Sequence, residues 1–370
     1  MSEDKPESEQ HSSFIFHPSS FAEIMMATLY LTEQYTLVKV EGEALRVQPS
    51  GGKPGQVVRV PINKVEQVLV LGEVTLTTPA LHALMERRIP VHYLTARGRS
   101  RGSLVADWGK NSGVRLAQYA LCRDVAAGFA VARQCVAGKL LNMRTLLLRY
   151  ARARDDGKEL VEAAEQIRYR LRELARLEPP ADTSDRMHGL GPLLGLEGSA
   201  SAAYYGVFGR LLKGDWRFPG RVKRPPTDPV NAMLSFGYTV LTNQVVSLVH
   251  AVGLDPGLGV LHQPGFGKPA LALDLVEGFR AIIVDSVVVT LINTGQIGPG
   301  DFSDELGAAR LSDAARRTFL EKLEARLGEQ VQHPLFGYKV SYRRCIELQV
   351  RLLAKHAQGE LVGYAPFTVR

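Results

Sequence analysis

The rhythm of hydrophobic and polar positions changes once along this chain. From residue 26 to about 109, short runs of β-branched and aromatic residues alternate with polar ones, and 28–32, 35–40, 44–47 and 57–60 each read as a strand. Turn chemistry separates them, most clearly in Ser50-Gly51-Gly52-Lys53-Pro54-Gly55. The pattern predicts a further buried strand at 66–71, a short helix at 78–87, and strands at 90–94 and 103–108. Six or more short strands in roughly 80 residues predict a small sandwich or half-barrel.

After Gly113 the period lengthens. Leu116, Leu121, Val125 and Phe129, then Leu140, Leu141, Leu147 and Leu148, recur at helical spacing, and 158–177 reads as a helix with charge over most of its surface, stopped by Pro179 and Pro180. A loop to about 195 precedes a helix at 197–213. A Pro/Arg-rich connection at 218–229 leads to a helix at 231–252, and others follow at 271–293, 313–327 and 338–356. The fold class expected is α+β in two domains: a small β-sandwich-like domain over 26–109, then an all-helical domain over 110–370. Residues 1–25, rich in Ser, Glu, Gln and Pro, hold too few branched apolar residues to order themselves and read as a flexible acidic extension, with Phe14, Ile15 and Phe16 as its one docking hint.

Charge sharpens this division. The chain carries a formal +7, but residues 1–25 set Glu3, Asp4, Glu7, Glu9 and Glu23 against Lys5, which leaves +11 for the rest. Such a body suits a polyanionic partner. No run reaches the ~20 apolar residues of a membrane span, and the N-terminus lacks the basic and apolar regions of a secretory signal, so a cytoplasmic protein without a membrane role is expected. Cys122, Cys135 and Cys345 are too few and too scattered for a disulfide framework or a CxxC zinc pair.

Familiar catalytic signatures are missing. Gly265-Phe266-Gly267-Lys268 is followed by Pro269 rather than a hydroxyl residue opening a helix, which argues against a P-loop, and no HExxH or GxSxG occurs. What stands out is a set of polar residues in apolar surroundings. Asp274 and Glu277 lie three apart in the apolar stretch 270–283 and share one helix face. Buried together they would repel unless a cation lay between them, which favours a hard divalent metal; an isolated DxxE is more often a first-turn pair or a partner of Arg280. His262 ends a glycine-built loop just before that helix, where it can reach the carboxylates or a metal, although a lone loop histidine is usually a surface residue. Glu197 opens a run of small residues that permits close approach of a helix or ligand. Arg217, Arg221, Lys223 and Arg224 crowd a Pro/Gly-rich loop and read equally as phosphate contacts or as a solvated loop; Arg97, Arg99 and Arg101 read as a solvated turn.

Four blocks in order, EGSASAAYY with Glu197, RVKRPPTDPVNAMLSFGY from Arg221 to Tyr238, GLDPGLGVLH ending at His262, and KPALALDLVEGFR with Asp274, Glu277 and Arg280, resemble the catalytic integrase subunit of CRISPR adaptation complexes. The resemblance runs from about Met26 to the C-terminus. It implies a metal-dependent DNA endonuclease that inserts spacer DNA into a CRISPR array by 3′-OH attack on a phosphodiester, contributing to antiviral defence. The alternative is a non-catalytic DNA-binding scaffold. The resemblance further implies Glu197, His262 and Glu277 as ligands of Mg²⁺ or Mn²⁺, Asp274 as an additional active-site carboxylate, and Asn231 and Arg280 as neighbours of the site. Tyr204, Tyr205 and Trp216 are candidates for stacking on a splayed strand end, with core positions as the commoner alternative for the tyrosines. Expected partners are double-stranded DNA as spacer precursor and repeat, a second copy through the β-domain, a small ferredoxin-like CRISPR-associated protein bridging two dimers, and an end-trimming nuclease. Two departures from the family pattern, the acidic extension and Gly278, touch no proposed ligand.

Overall fold

The computed structural model describes residues 14–15, 27–49, 57–96, 98–106, 111–180, 186–223 and 225–369. Arg224, Arg97, the turn from Ser50 to Gly55 and most of the acidic extension lie outside the described residues. The chain divides into two compact units at Ala106/Asp107.

The first unit holds β1 (Phe14–Ile15), β2 (Ala27–Leu31), β3 (Thr36–Glu41), β4 (Ala44–Pro49), β5 (Val58–Pro61), β6 (Val65–Leu71), β7 (Val74–Leu76), α1 (Thr78–Glu86), β8 (Val91–Leu94) and β9 (Ser100–Leu104). They form a five-stranded sheet in the order β1-β2-β6-β8-β9 and a four-stranded sheet in the order β5-β4-β3-β7. Leu29, Leu31, Val68, Val70 and Val91 of the first sheet meet Val38, Leu45, Val47 and Val60 of the second in one core, closed by Ala80 and Leu84 of α1. Alternation along β3 places Thr36 and Val38 inward and Lys39 and Glu41 outward. The strand expected at 103–108 is Ser100–Leu104, because it pairs antiparallel with β8 from Leu94↔Ser100 to Val91↔Leu104. Within the first 25 residues, Phe14 and Ile15 pair with Leu31 and Tyr30.

The second unit holds α2 (Ser112–Arg123), α3 (Val125–Ala151), α4 (Lys158–Ala175), α5 (Arg186–Phe208), α6 (Pro229–Val252), α7 (Ala270–Arg280), α8 (Ser286–Asn293), β10 (Phe302–Glu305), β11 (Ala308–Leu311), α9 (Asp313–Gly328), β12 (Gln330–Gln332), β13 (Lys339–Ser341) and α10 (Tyr342–Ala357). Helices dominate, joined by two small hairpins that hydrophobic periodicity did not reveal. Asp124, Asp228, Ser312 and Ser341 cap α3, α6, α9 and α10 by accepting from a backbone N–H of the first turn. By length and composition α6 is apolar enough to cross a bilayer, contrary to the sequence expectation, but 78% of its apolar window is buried in this unit.

One boundary matters for the site. Helix α5 begins well before Glu197, which therefore sits mid-helix instead of opening one. Gly189, Gly191, Pro192 and Gly195 lower helix propensity and made this stretch read as a loop. Burial of Leu190 and Leu193 overrides that local preference. Gly189 is needed where it stands, since a Cβ there would lie 2.4 Å from Cγ of Pro180.

Between α7 and α8 the backbone makes a π-turn over Ala281–Asp285. The side chain of Arg326 donates twice to the carbonyl of Ile282, at 2.9 and 2.7 Å, satisfying an oxygen in the widened turn. The C-terminal segment closes the other side of α7. Asn142 on α3 donates to the carbonyls of Gly278 (2.6 Å) and Phe367 (2.9 Å) and accepts from the backbone N–H of Val369 (2.9 Å), and the ring of Phe367 stacks on Phe279 at 5.3 Å.

Candidate active site

Helices α3, α5 and α7 and the loop 253–269 converge on one group of charges. Asp274 and Glu277 are almost fully buried on α7, as their three-residue spacing in an apolar helix requires. Asp274 organises the loop. Its Oδ2 accepts from the backbone N–H groups of Val260 (2.6 Å) and Leu261 (3.0 Å), and its Oδ1 accepts from the N–H of His262 (2.8 Å) and lies 2.7 Å from His262 Nδ1. Three backbone donors and an imidazole thus wrap one carboxylate in a nest. The other ring nitrogen, Nε2, lies 3.9 Å from Glu277 Oε1.

Glu277 is held by cations. Arg280 Nη1 lies 2.8 Å from Oε1, and Lys139 Nζ lies 2.8 Å from Oε2 without a hydrogen bond of good geometry. Burial alone would raise this carboxyl; the adjacent Arg280 and Lys139 outweigh it and draw its pKa down to about 2. Lys139 also pairs with Glu197, which accepts from Ser201 Oγ at 2.9 Å. Burial would lower the Lys139 ammonium, but Glu277 and Glu197 hold it above its ordinary value. Glu197, His262 and Glu277 are therefore gathered into one neighbourhood, with the Lys139 ammonium between the two glutamates. Among the described residues, no group of three or more His, Cys, Asp or Glu side chains already stands at metal-holding spacing. The donor set itself, carboxylate oxygens with one imidazole nitrogen and a buried Glu277 oxygen already facing a cation, suits a hard divalent cation.

Asn231 lies elsewhere. At the start of α6 it accepts from Arg221 Nη1 (2.8 Å) and the Val222 N–H (3.0 Å) and donates to the carbonyl of Gly220 (2.8 Å) and to Asp228 Oδ2 (2.6 Å), so it braces the basic loop. Arg221 lies over the Tyr238 ring at 5.4 Å, and Arg280 lies over the same ring at 4.9 Å. Partial burial, together with the like charges of Arg280 and Lys139, lowers the Lys223 ammonium, which places this side chain within electrostatic reach of the carboxylate cluster. Arg217 is exposed.

The tyrosines are structural. Tyr204 and Tyr238 donate to the buried Asp285 at 2.7 and 2.5 Å, and Tyr205 shares a 2.9 Å hydrogen bond with Tyr238. Tyr204 is fully buried and cannot stack on a strand end; Trp216 packs edge-on to Phe302. Asp285 and Lys139 escaped the sequence reading. Their signal was a single charged residue inside an apolar helix, as in AIIVDSVVV and CVAGKLLNM, which demands a buried partner.

Burial raises the Asp285 carboxyl to about 6 against the opposing bonds from Tyr238 and Tyr204. Being easier to protonate folded than unfolded, it contributes stability that is complete below its ordinary 3.8 and is lost as the pH rises through about 6. Urea denaturation of the wild type and Asp285→Asn should therefore diverge. Between about pH 7.5 and about pH 4 the balance should shift toward the wild type by on the order of 3 kcal/mol. A pH-independent difference would contradict this account.

Residues 29–325 match the family model described as CRISPR associated protein Cas1. The chain is 37% identical over 348 residues to a CRISPR-associated exonuclease Cas4/endonuclease Cas1 fusion from Geobacter sulfurreducens, which covers 92% of this chain but only 60% of the fusion. A CRISPR-associated endonuclease Cas1 from Thermus thermophilus is 35% identical, over 93% of this chain and 98% of its own length. Among solved structures, a CAS1 protein from Thermotoga maritima superposes with a TM-score of 0.76 at 26% identity, covering 92% of this chain and 99% of its own. A chain of a Cas6-RT-Cas1–Cas2 complex gives a TM-score of 0.76 at 26% identity over 96% of this chain and 37% of its own.

Proposed function

The chain belongs to the CRISPR-associated Cas1 family, and from that premise we propose that it is a metal-dependent DNA endonuclease and integrase, acting in the cytoplasm, that joins the 3′-OH ends of captured duplex DNA to a phosphodiester of a CRISPR repeat. The observation that supports the reading is the nearness of Glu197, His262 and Glu277, from two helices and a loop: the Lys139 ammonium contacts both glutamates, and His262 Nε2 lies 3.9 Å from Glu277 Oε1. These three would hold Mg²⁺ or Mn²⁺. Bound there, the metal would polarise the phosphoryl oxygen under attack and stabilise the leaving oxygen. The chain's own groups do the rest. Asp274 fixes the ring of His262 so that Nε2 is presented to the site, and Arg280 and Lys223 place positive charge beside it, where a phosphate would lie. Arg217, Arg221, Lys223 and Arg224 would track the DNA backbone, with Arg221 set by Asn231.

Partner proposals rest on relatives. One relative is a fusion of a Cas4 exonuclease with Cas1, and one solved structure is a Cas6-RT-Cas1–Cas2 complex. We accordingly expect a Cas2-like bridging protein of ferredoxin-like fold between two homodimers, and an end-trimming nuclease supplying the fragments.

The test is a half-site integration assay on the purified protein with a duplex bearing free 3′-OH ends and a supercoiled target. Joined and nicked products are expected with Mn²⁺ or Mg²⁺ and none with EDTA, with stronger joining when the bridging partner is added. DNA affinity should fall by roughly 10³-fold or more between 50 and 200 mM salt if six or more phosphates are contacted. The scaffold alternative draws on Lys139, which already neutralises both glutamates. It expects duplex binding indifferent to EDTA and no nicking under any metal, an outcome that would overturn the integrase reading.

A further inference from the structure

Lys139 is the one charge in the cluster with no assigned task. Its ammonium is about nine-tenths buried and bridges Glu197 on α5 to Glu277 on α7, from α3 between them. Both partners are also proposed metal ligands, and the Lys139 ammonium is 2.8 Å from Oε2 of Glu277, the oxygen turned away from Arg280. Two cations cannot share those oxygens at contact distance, because ammonium and metal would repel each other there. Nor can the glutamates face one another with neither cation between them.

We propose that Lys139 is a positioning residue that acts as a resident stand-in cation: it holds Glu197 and Glu277 together until a divalent metal displaces it. The proposal rests on the metal-site reading above. Its ammonium pre-sets the separation of α5 and α7, so the metal enters an assembled site and does not have to gather the helices. The cost is lowered metal affinity, since every binding event must break two ion pairs. Once displaced, the ammonium is a free cation beside the position of the substrate phosphate.

Three measurements on the full chain test this. Mn²⁺ binding is followed by electron paramagnetic resonance of the free ion for the wild type, Lys139→Met and Lys139→Arg. If the ammonium competes, Lys139→Met binds Mn²⁺ about tenfold more tightly, while Lys139→Arg, which keeps the charge, stays within about threefold of the wild type. Equal or weaker binding by Lys139→Met overturns the proposal. Thermal melts supply the second readout. Lys139→Met should melt lower than the wild type in EDTA and recover in saturating Mn²⁺; a deficit that persists in Mn²⁺ would mean a structural role alone. The third needs no variant. Mass-spectrometric reading of acetylation at Lys139 in the wild type should show the amine protected in EDTA and about tenfold more reactive in Mn²⁺. Unchanged reactivity overturns the proposal even if the variants fail to fold. Failure of the metal reading looks different: the wild type would bind no Mn²⁺ at this site at all, and Glu277→Gln would leave Mn²⁺ binding unchanged.

Discussion

Glu277→Gln should abolish Mn²⁺ binding at the site and reduce strand joining on the order of a thousandfold, while the chain stays folded and continues to bind duplex DNA. The substitution keeps the shape of the side chain and removes its charge. That charge is shared by Arg280 at one oxygen and Lys139 at the other, both well buried, and His262 faces it from the loop. Glutamine would leave two desolvated cations without their main counter-charge, so a loss of roughly 3–5 kcal/mol of stability is expected beside the catalytic loss. The two effects separate in a double mutant. Adding Lys139→Met to Glu277→Gln removes charge in a pair and should recover part of the stability but none of the joining. Near-normal joining by Glu277→Gln would remove this residue from the site, and full stability would contradict the burial of its partners.

Asp274→Asn has the second largest expected effect, and it acts through the backbone. One carboxylate accepts from three consecutive N–H groups at 260–262 and from the His262 ring. Asparagine replaces one acceptor oxygen with an NH₂ that points at donors, leaving buried N–H groups unpaired at about 1–3 kcal/mol each. The loop should lose hydrogen-exchange protection at residues 260–262, and His262 should lose its fixed ring orientation, so that joining falls together with the urea midpoint. Gly259→Ala offers an independent route to the same failure. A Cβ at 259 would stand 2.5 Å from Oδ2 of Asp274 and 2.8 Å from the carbonyl carbon of Ala270, so the loop could not lie against α7. A variant of either kind with wild-type joining and protection would show that the site does not depend on this nest.

How much of this was legible depended on where each signal lay in the chain. Asp274, Glu277 and His262 sit within sixteen residues of each other, and a carboxylate pair at helical spacing after a glycine-built loop carries its geometry in the sequence. The switch from alternating strands to helical spacing near residue 110 follows the strand and helix content on either side: β9 ends at Leu104 and α2 begins at Ser112. Lys139 was not legible because its partners lie 58 and 138 residues away, and no local pattern reports a contact at that separation. The start of α5 was missed because three glycines and a proline argue locally against the helix that Leu190 and Leu193 pull into the core. The hairpins at 302–311 and 330–341 hold strands of three or four residues, too short for a period to show, and the first turns through Leu306 and Gly307, both with positive φ. The tyrosines at 204 and 205 read as possible stacking platforms until Asp285 in the π-turn after α7 supplied a buried acceptor for the first and Tyr238 a partner for the second.

The bracket that Asn142 forms between Gly278, Phe367 and Val369 has a consequence for genetics. Segment 364–369 holds none of the residues assigned to metal or DNA, yet it is one wall against which the carboxylate-bearing helix is set. In a loss-of-function screen scored by spacer acquisition, lesions in this segment would fall into the same phenotypic class as lesions in α7. Second-site suppressors of the weaker ones would be sought along α3, around residue 142, where the two are fastened together.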